Sequence, residues 1–216
     1  MTPAVWIGLA VVAVGGLIWV AIAMEKKRRE ALEQFCMMRG FAFERERKDG
    51  WRAYQAAVPL FDHGGRRRWG YTISGRTGKR DFTAFEYRYT VSSGKNSQTY
   101  YFRVMSWQTG DAKLPVFSIS PEGFWKRLGQ KLGRQDIDFD DDPTFSSAYE
   151  LRGPDEAAIR AAFTPRVRGV LGATPGINAA SGGNQLFWWK SGRLPKPDDL
   201  DPFFMEGESI ARVFLE

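Results

Sequence analysis

The stretch "PAVWIGLAVVAVGGLIWVAIAM", Pro3 to Met24, carries no charged side chain, and nothing else in the sequence restricts the chain so strongly. An apolar run of this length fits a helix across a hydrocarbon core of about 30 Å. A helix also satisfies its own backbone polar groups there. A cleavable leader would place positive charge ahead of a shorter apolar region, whereas Lys26, Lys27, Arg28 and Arg29 follow this one. Trp6 and Trp19 lie toward its two ends, where indole rings favour the membrane–water interface. The reading is a single-pass transmembrane helix over 3–24. The four cations after it put the amino terminus outside and the remainder in the cytoplasm, with those cations close to anionic headgroups. Ala4, Gly8 and Gly15 give the segment a thin face on which a second membrane helix can pack.

The helical pattern continues through "EKKRREALEQFCMMRG". Leu32, Phe35 and Cys36 share a stripe, and Gly40 suits a helix end. Residues 25–40 therefore read as a juxtamembrane helical stalk. From Phe41 the pattern changes to short strands rich in aromatic and β-branched residues: "FAFERER", "WGYTISG", "DFTAFEYRYTV", "SQTYYFRVMSW" and "LPVFSIS". In the third, Phe85, Tyr87, Tyr89 and Val91 share one face, and Glu86, Arg88 and Thr90 the other. "SSGKNS" then reads as a hairpin loop. Helices are expected over "PEGFWKRLGQKLG", over "GPDEAAIRAAFTPRVRGVLG" with a break at Pro165, and from about Pro202 to the end. "NQLFWWKSG" reads as a strand and "GATPGINAASGGN" as a flexible loop. The expected class is α+β: an N-terminal transmembrane helix, an antiparallel β-meander and C-terminal amphipathic helices, with 41–216 forming one cytoplasmic domain.

Three motifs suggest chemistry. Five aspartates occupy seven positions from Asp136 to Asp142. An EF-hand loop started at Asp136 places Asp141 where glycine is required and Ser147 where the bidentate glutamate belongs. A structural account fits better. Ile137 and Phe139 alternate with wet aspartates as in a short strand, and Asp142 before Pro143 caps a turn or helix with Phe145 packed inward. So many carboxylates call for basic neighbours, and Arg127, Lys131 or Arg134 lie near in sequence. "GYTISGRT" has P-loop spacing, but Arg76 stands where lysine belongs and a strand follows where a helix is needed. His63 lies in a polar turn without a nucleophile beside it. One cysteine and one histidine leave no zinc site of the Cys/His kind. Cys36 reads as a small buried hydrophobe. No catalytic set, cofactor site or metal site emerges.

The net charge of +6 is unevenly spread. Beyond the juxtamembrane cations it collects in Arg66, Arg67 and Arg68 and in Arg76, Lys79 and Arg80, which offer contacts to lipid or to an acidic partner. Aromatic residues make up 14% of the chain. Strand alternation accounts for them as core, so nucleic acid is not the expected partner.

The anchor together with "FEYRYT", "PVFSISPEGF" and "IDFDDDPTFSSAYELRGPDEAAIRAAFTP" resembles uncharacterised bacterial single-pass membrane proteins with a cytoplasmic α+β domain. That resemblance implies the bacterial inner membrane and transfers no site. The expected role is a non-enzymatic accessory or scaffolding subunit of a larger respiratory, photosynthetic or transport complex. Its expected partners are membrane lipid and other membrane-protein subunits. The alternative is a tethered binding or sensor module for anionic headgroups or a peptide.

Overall fold

The computed structural model describes residues 3–46, 50–78, 80–94, 96–128, 136–174 and 176–216; the side chains of 3–5, 7–11 and 93 are outside that description. Helix α1 runs over Pro3–Arg39 without interruption. It stops where Gly40 takes a left-handed conformation, φ 68°. The Gly40 amide donates to the Met37 carbonyl at 3.3 Å, and the Phe41 amide to the Cys36 carbonyl at 2.8 Å. This double closure of a helix end needs a residue without a Cβ at that turn.

Strands β1 (Ala42–Glu44), β2 (Gly65–Thr77), β3 (Arg80–Ser93) and β4 (Asn96–Gln108) follow. They form the expected antiparallel meander, each pairing with the next. A 3-10 turn (Arg52–Tyr54) and helix α2 (Pro59–Asp62) sit between β1 and β2. Strand β5 (Phe117–Pro121) and helices α3 (Phe124–Arg127) and α4 (Pro143–Ala148) come next. They lead to β6 (Tyr149–Arg152), α5 (Glu156–Ala162) and α6 (Pro165–Ala173), the last two separated at Pro165. Strands β7 (Asn178–Ser181) and β8 (Gln185–Ser191) precede the final helix α7, Pro197–Leu215. All eight strands join one antiparallel sheet in the order β1-β2-β3-β4-β8-β7-β5-β6.

Both sheet faces are covered. On one, Leu32, Phe35 and Cys36 of α1 and Phe203, Phe204 and Ile210 of α7 pack on Ile73, Phe82, Ala84, Met105 and Trp107. On the other, Phe61 and Trp125 pack with Phe85, Tyr87, Tyr89, Phe102 and Trp189. Close approach of α7 depends on Gly207, where an added Cβ would meet Met105, Trp188 and Trp107.

Several expectations change. The "GATPGINAASGGN" stretch supplies a strand, because β7 is buried throughout and pairs with β5 on one side and β8 on the other. Helix α7 begins at Pro197 instead of Pro202, since Asp198 and Asp199 suit a first turn and Leu200 is fully buried. The helix expected over residues 121–133 is described only as α3, its later part lying outside the described residues. Among the described residues no helix is long and apolar enough to cross a membrane, so the expected span over 3–24 is not met as a structural finding.

Candidate functional site

Every described side chain of α1 from Val12 to Met24 is exposed, with Leu17 at 71% and Trp19 at 70%. Contact with the sheet begins one residue later. Arg193 donates to the Glu25 carboxylate at 2.9 Å. Arg28 pairs closely with Glu86 of β3 and donates to the Leu194 carbonyl at 3.1 Å. Glu86 also accepts from the Leu194 amide at 2.9 Å. At the far end Arg39 pairs with Asp201, so the charged half of the helix is fastened along its length.

A cleft of about 200 Å³ opens where α1 first meets the sheet. Its cations are Arg45, Arg68, Arg88 and Arg193, and its carboxylates are Glu25, Glu46 and Glu86. Strand register explains the grouping. Arg68 of β2 lies opposite Arg88 of β3, and Arg88 lies opposite Tyr101 of β4. The Gly192 amide donates to the Tyr101 carbonyl at 2.7 Å, which brings Arg193 alongside. Register shifts in β2 between Gly65 and Arg68 and between Trp69 and Thr72 flank this row; such bulges re-aim side chains. The Arg88 guanidinium donates to the Tyr101 hydroxyl at 3.4 Å, and the Arg193 guanidinium lies 4.9 Å from the Tyr101 ring centroid. Hydrogen bonds from Arg88 and then Arg193 hold the Tyr101 hydroxyl below the usual tyrosine range. Burial pushes the Glu25 carboxyl up, but the Tyr71 hydroxyl with Arg193 and Arg28 outweighs it and keeps the group below the usual carboxylate range.

The sequence-marked cations divide between structure and surface. Lys26 and Lys27 face outward, while Arg28 and Arg29 turn to Glu86 and Glu33. Arg67 clamps the turn before β2 by donating to the His63, Gly64 and Asp62 carbonyls. Arg66 is exposed and Arg68 enters the cleft. Arg80 is held by Glu208 and Glu216, each at 2.8 Å, and Arg76 lies 3.6 Å from Asp81. The two basic groups thus lie at opposite ends of β2, and Lys79 is outside the described residues. Gly15 faces open space; the burial of Ala4 and Gly8 is outside the description.

The aspartates are built into the fold. Asp136 accepts from the Ile137 and Leu151 amides at 3.0 and 2.6 Å. Asp142 caps α4 by accepting from the Phe145 amide at 3.1 Å. Asp141 and Asp142 both reach Arg168, at 2.6 and 3.3 Å, and Arg168 itself is buried. The cations serving the run are therefore Arg168 and, through the Asp138 carbonyl, Arg160. Arg127 instead bonds the Glu122 carbonyl, and Lys131 and Arg134 lie outside the described residues. Ile137 and Phe139 are buried as expected, but the segment makes a single backbone bond to β6, Ile137 amide to Leu151 carbonyl at 2.8 Å, and forms no strand. Among the described residues no group of three or more His, Cys, Asp or Glu is placed to hold a metal.

His63 borders a second cleft of about 210 Å³ beside Ser118 and Arg152. Its ring lies 4.9 Å from Trp125, and its Nε2 is buried without a hydrogen-bond partner among the described residues. Burial pushes its pKa down to about 4; Asp62 opposes the shift and Arg67 reinforces it. Cys36 is buried, and burial pushes its thiol up to about 11.

No family model matches the chain, and no curated protein does. Among solved structures, the chain is similar in fold to the crystal structure of the mycobacterial trehalose monomycolate transport factor A, TtfA. The identity is 12% and the TM-score 0.53, over 87% of this chain and 94% of that one.

Proposed function

We propose that the protein is a non-enzymatic, membrane-anchored accessory subunit, whose first helix crosses the bacterial inner membrane and holds the sheet domain against a larger membrane complex on the cytoplasmic side. The observation that carries this reading is the division of α1. Its charged half is fastened into the domain by Arg28, Leu32, Phe35 and Arg39, and its apolar half is uncovered on all sides from Val12 to Met24. A helix exposing leucine, isoleucine, valine and tryptophan around its whole circumference is suited to lipid and poorly suited to water. The uncharged sequence from Pro3 to Met24 is long enough to span. An uninterrupted helix fixes the height and orientation of the domain above the bilayer, as a scaffolding part requires and a loosely tethered enzyme does not. Among the client classes, transport machinery is favoured, because the fold is shared with a protein named as a transport factor.

The experiment is purification of the full chain from membranes in mild detergent with mass spectrometry of co-eluting proteins, comparing wild type with Gly8→Leu/Gly15→Leu. We expect a defined set of membrane-protein partners for the wild type and its loss in the double variant, with membrane levels unchanged, because close helix approach depends on small residues. Recovery of the wild type alone, or in alkaline-extractable form, would refute the reading. Orientation is checked separately. Thr2→Cys should react with an impermeant maleimide in intact cells and Met38→Cys, 80% exposed, only after lysis. Cys36 stays silent in both because it is buried.

A further inference from the structure

Arg88 is half-buried, and among the described residues no carboxylate lies within ion-pair range of it; its contacts are the hydroxyl and ring of Tyr101. Arg68 stands directly opposite on β2, and like charges in that relation destabilise a sheet. The carboxylates of the cleft do not relieve this. Glu86 is committed to Arg28 and the Leu194 amide, and Glu25 to Arg193 and Arg28. Glu46 holds Arg68 only through a wet pair at 3.7 Å, and Arg45 turns away to Glu33 at 3.4 Å. Pairs so exposed contribute little. A sheet that opposes Arg88, which has no carboxylate, to Arg68, which has only a wet pair, next to an Arg193 held by Glu25 just past β8, is arranged for an anion that is not part of this chain.

We propose that the cleft binds the phosphate of an anionic phospholipid headgroup, with Arg68, Arg88 and Arg193 donating to its oxygens and the Tyr101 hydroxyl completing the set. Guanidinium forks match phosphate oxygens in pairs, which a lysine ammonium does not. The choice of lipid as the source rests on the anchor reading. Glu25, the first charged residue after the apolar run, lines the cleft. On that reading the opening sits where α1 leaves the hydrocarbon, and Ile22 and Met24, 63% and 68% exposed and within three residues of Glu25 along the helix, are available to acyl chains. A volume of about 200 Å³ takes a phosphate and its glycerol and leaves the chains in the bilayer.

The test uses the full chain in mild detergent, titrated with phosphatidic acid and read by native mass spectrometry, with inorganic phosphate as competitor. We expect saturable binding of one lipid, weakened about tenfold by Arg88→Gln and about threefold by Tyr101→Phe, in line with losing one charged or one neutral hydrogen bond. Arg76→Gln, in the other basic group, should bind as wild type. Equal affinity in wild type and Arg88→Gln overturns the proposal. Displacement of the lipid by inorganic phosphate at comparable concentration overturns the lipid as the source. Alkaline carbonate extraction of the same chain tests the anchor independently. A chain that is extracted yet still loses phosphatidic acid on Arg88→Gln refutes the anchor and upholds the cleft.

Discussion

Arg28→Ala should loosen the joint between α1 and the sheet. The Arg28 and Glu86 side chains are 18% and 13% exposed, nearer to a buried pair than to a surface one. Deleting one partner of a buried pair costs about 3–5 kcal/mol, whereas surface pairs contribute about 0–1 kcal/mol. Residual solvent screening lowers the first figure here. Glu86 also keeps the Leu194 amide at 2.9 Å, so its stranded charge retains one donor. The loss for Arg28→Ala is then about 2–3 kcal/mol. Glu86→Gln preserves shape and should cost about 1–2 kcal/mol. In a double-mutant cycle the two should couple by about 1.5 kcal/mol. Urea unfolding of the full chain in mild detergent, followed by tryptophan fluorescence, reports this because Trp107, Trp188 and Trp189 are buried in the sheet domain. A coupling under about 0.5 kcal/mol, as for a surface pair, would refute the claim that α1 is built into the domain.

Acid should destabilise the fold through His63. Its folded pKa, about 4, lies below the ordinary 6.5. The unfolded chain therefore binds the extra proton, and stability falls as pH drops from about 6.5 toward 4, by about 2 kcal/mol after allowance for the wet part of the ring. His63→Gln should flatten that slope in urea melts at stepped pH. Phe139→Ala removes a buried ring 4.1 Å from the Arg168 guanidinium and should cost about 3–5 kcal/mol in the same melts. Asp138→Asn with Asp140→Asn should leave thermal stability equal in calcium and in chelator; calcium stabilisation abolished by the pair would reverse the structural reading of the aspartates. Gly207→Ala should cost about 1–3 kcal/mol by overpacking against Met105, Trp107 and Trp188, measured as a drop in midpoint without a change in slope.

The elements legible in the sequence were those with local signals. The two-residue alternation of β3 marked Phe85, Tyr87 and Tyr89 as core, and all three are fully buried. The cap at Asp142 and the break at Pro165 are likewise local. Strand β7 was missed because its Asn-Ala-Ala-Ser sequence lacks the branched and aromatic residues that announce strands. Its small side chains are set by neighbours remote in sequence. The partnership of Asp141 and Asp142 with Arg168 spans two whole helices and a strand, so it has no local signal and cations nearer in sequence look like the partners. The cleft was missed for a subtler reason. A two-residue turn pairing Ser93 with Asn96 places Arg88 opposite Tyr101 five steps along, so that half of it was available once the turn was fixed. Arg193 and Glu25 arrive from distant segments and had no local signature.

The unbroken course of α1 gives the molecule a rotational phase. Helix geometry converts each residue inserted between Met24 and Glu25 into about 100° of turn and about 1.5 Å of height. A single insertion would swing the Arg88 cleft well round the helix axis while scarcely lifting it. A protein neighbour occupies one azimuth, so its association should vanish on one insertion and largely return after four. On the anchor reading proposed above, lipid surrounds the helix at every azimuth, so headgroup binding should register only the change in height. The two kinds of partner would thus answer to different coordinates of one helix.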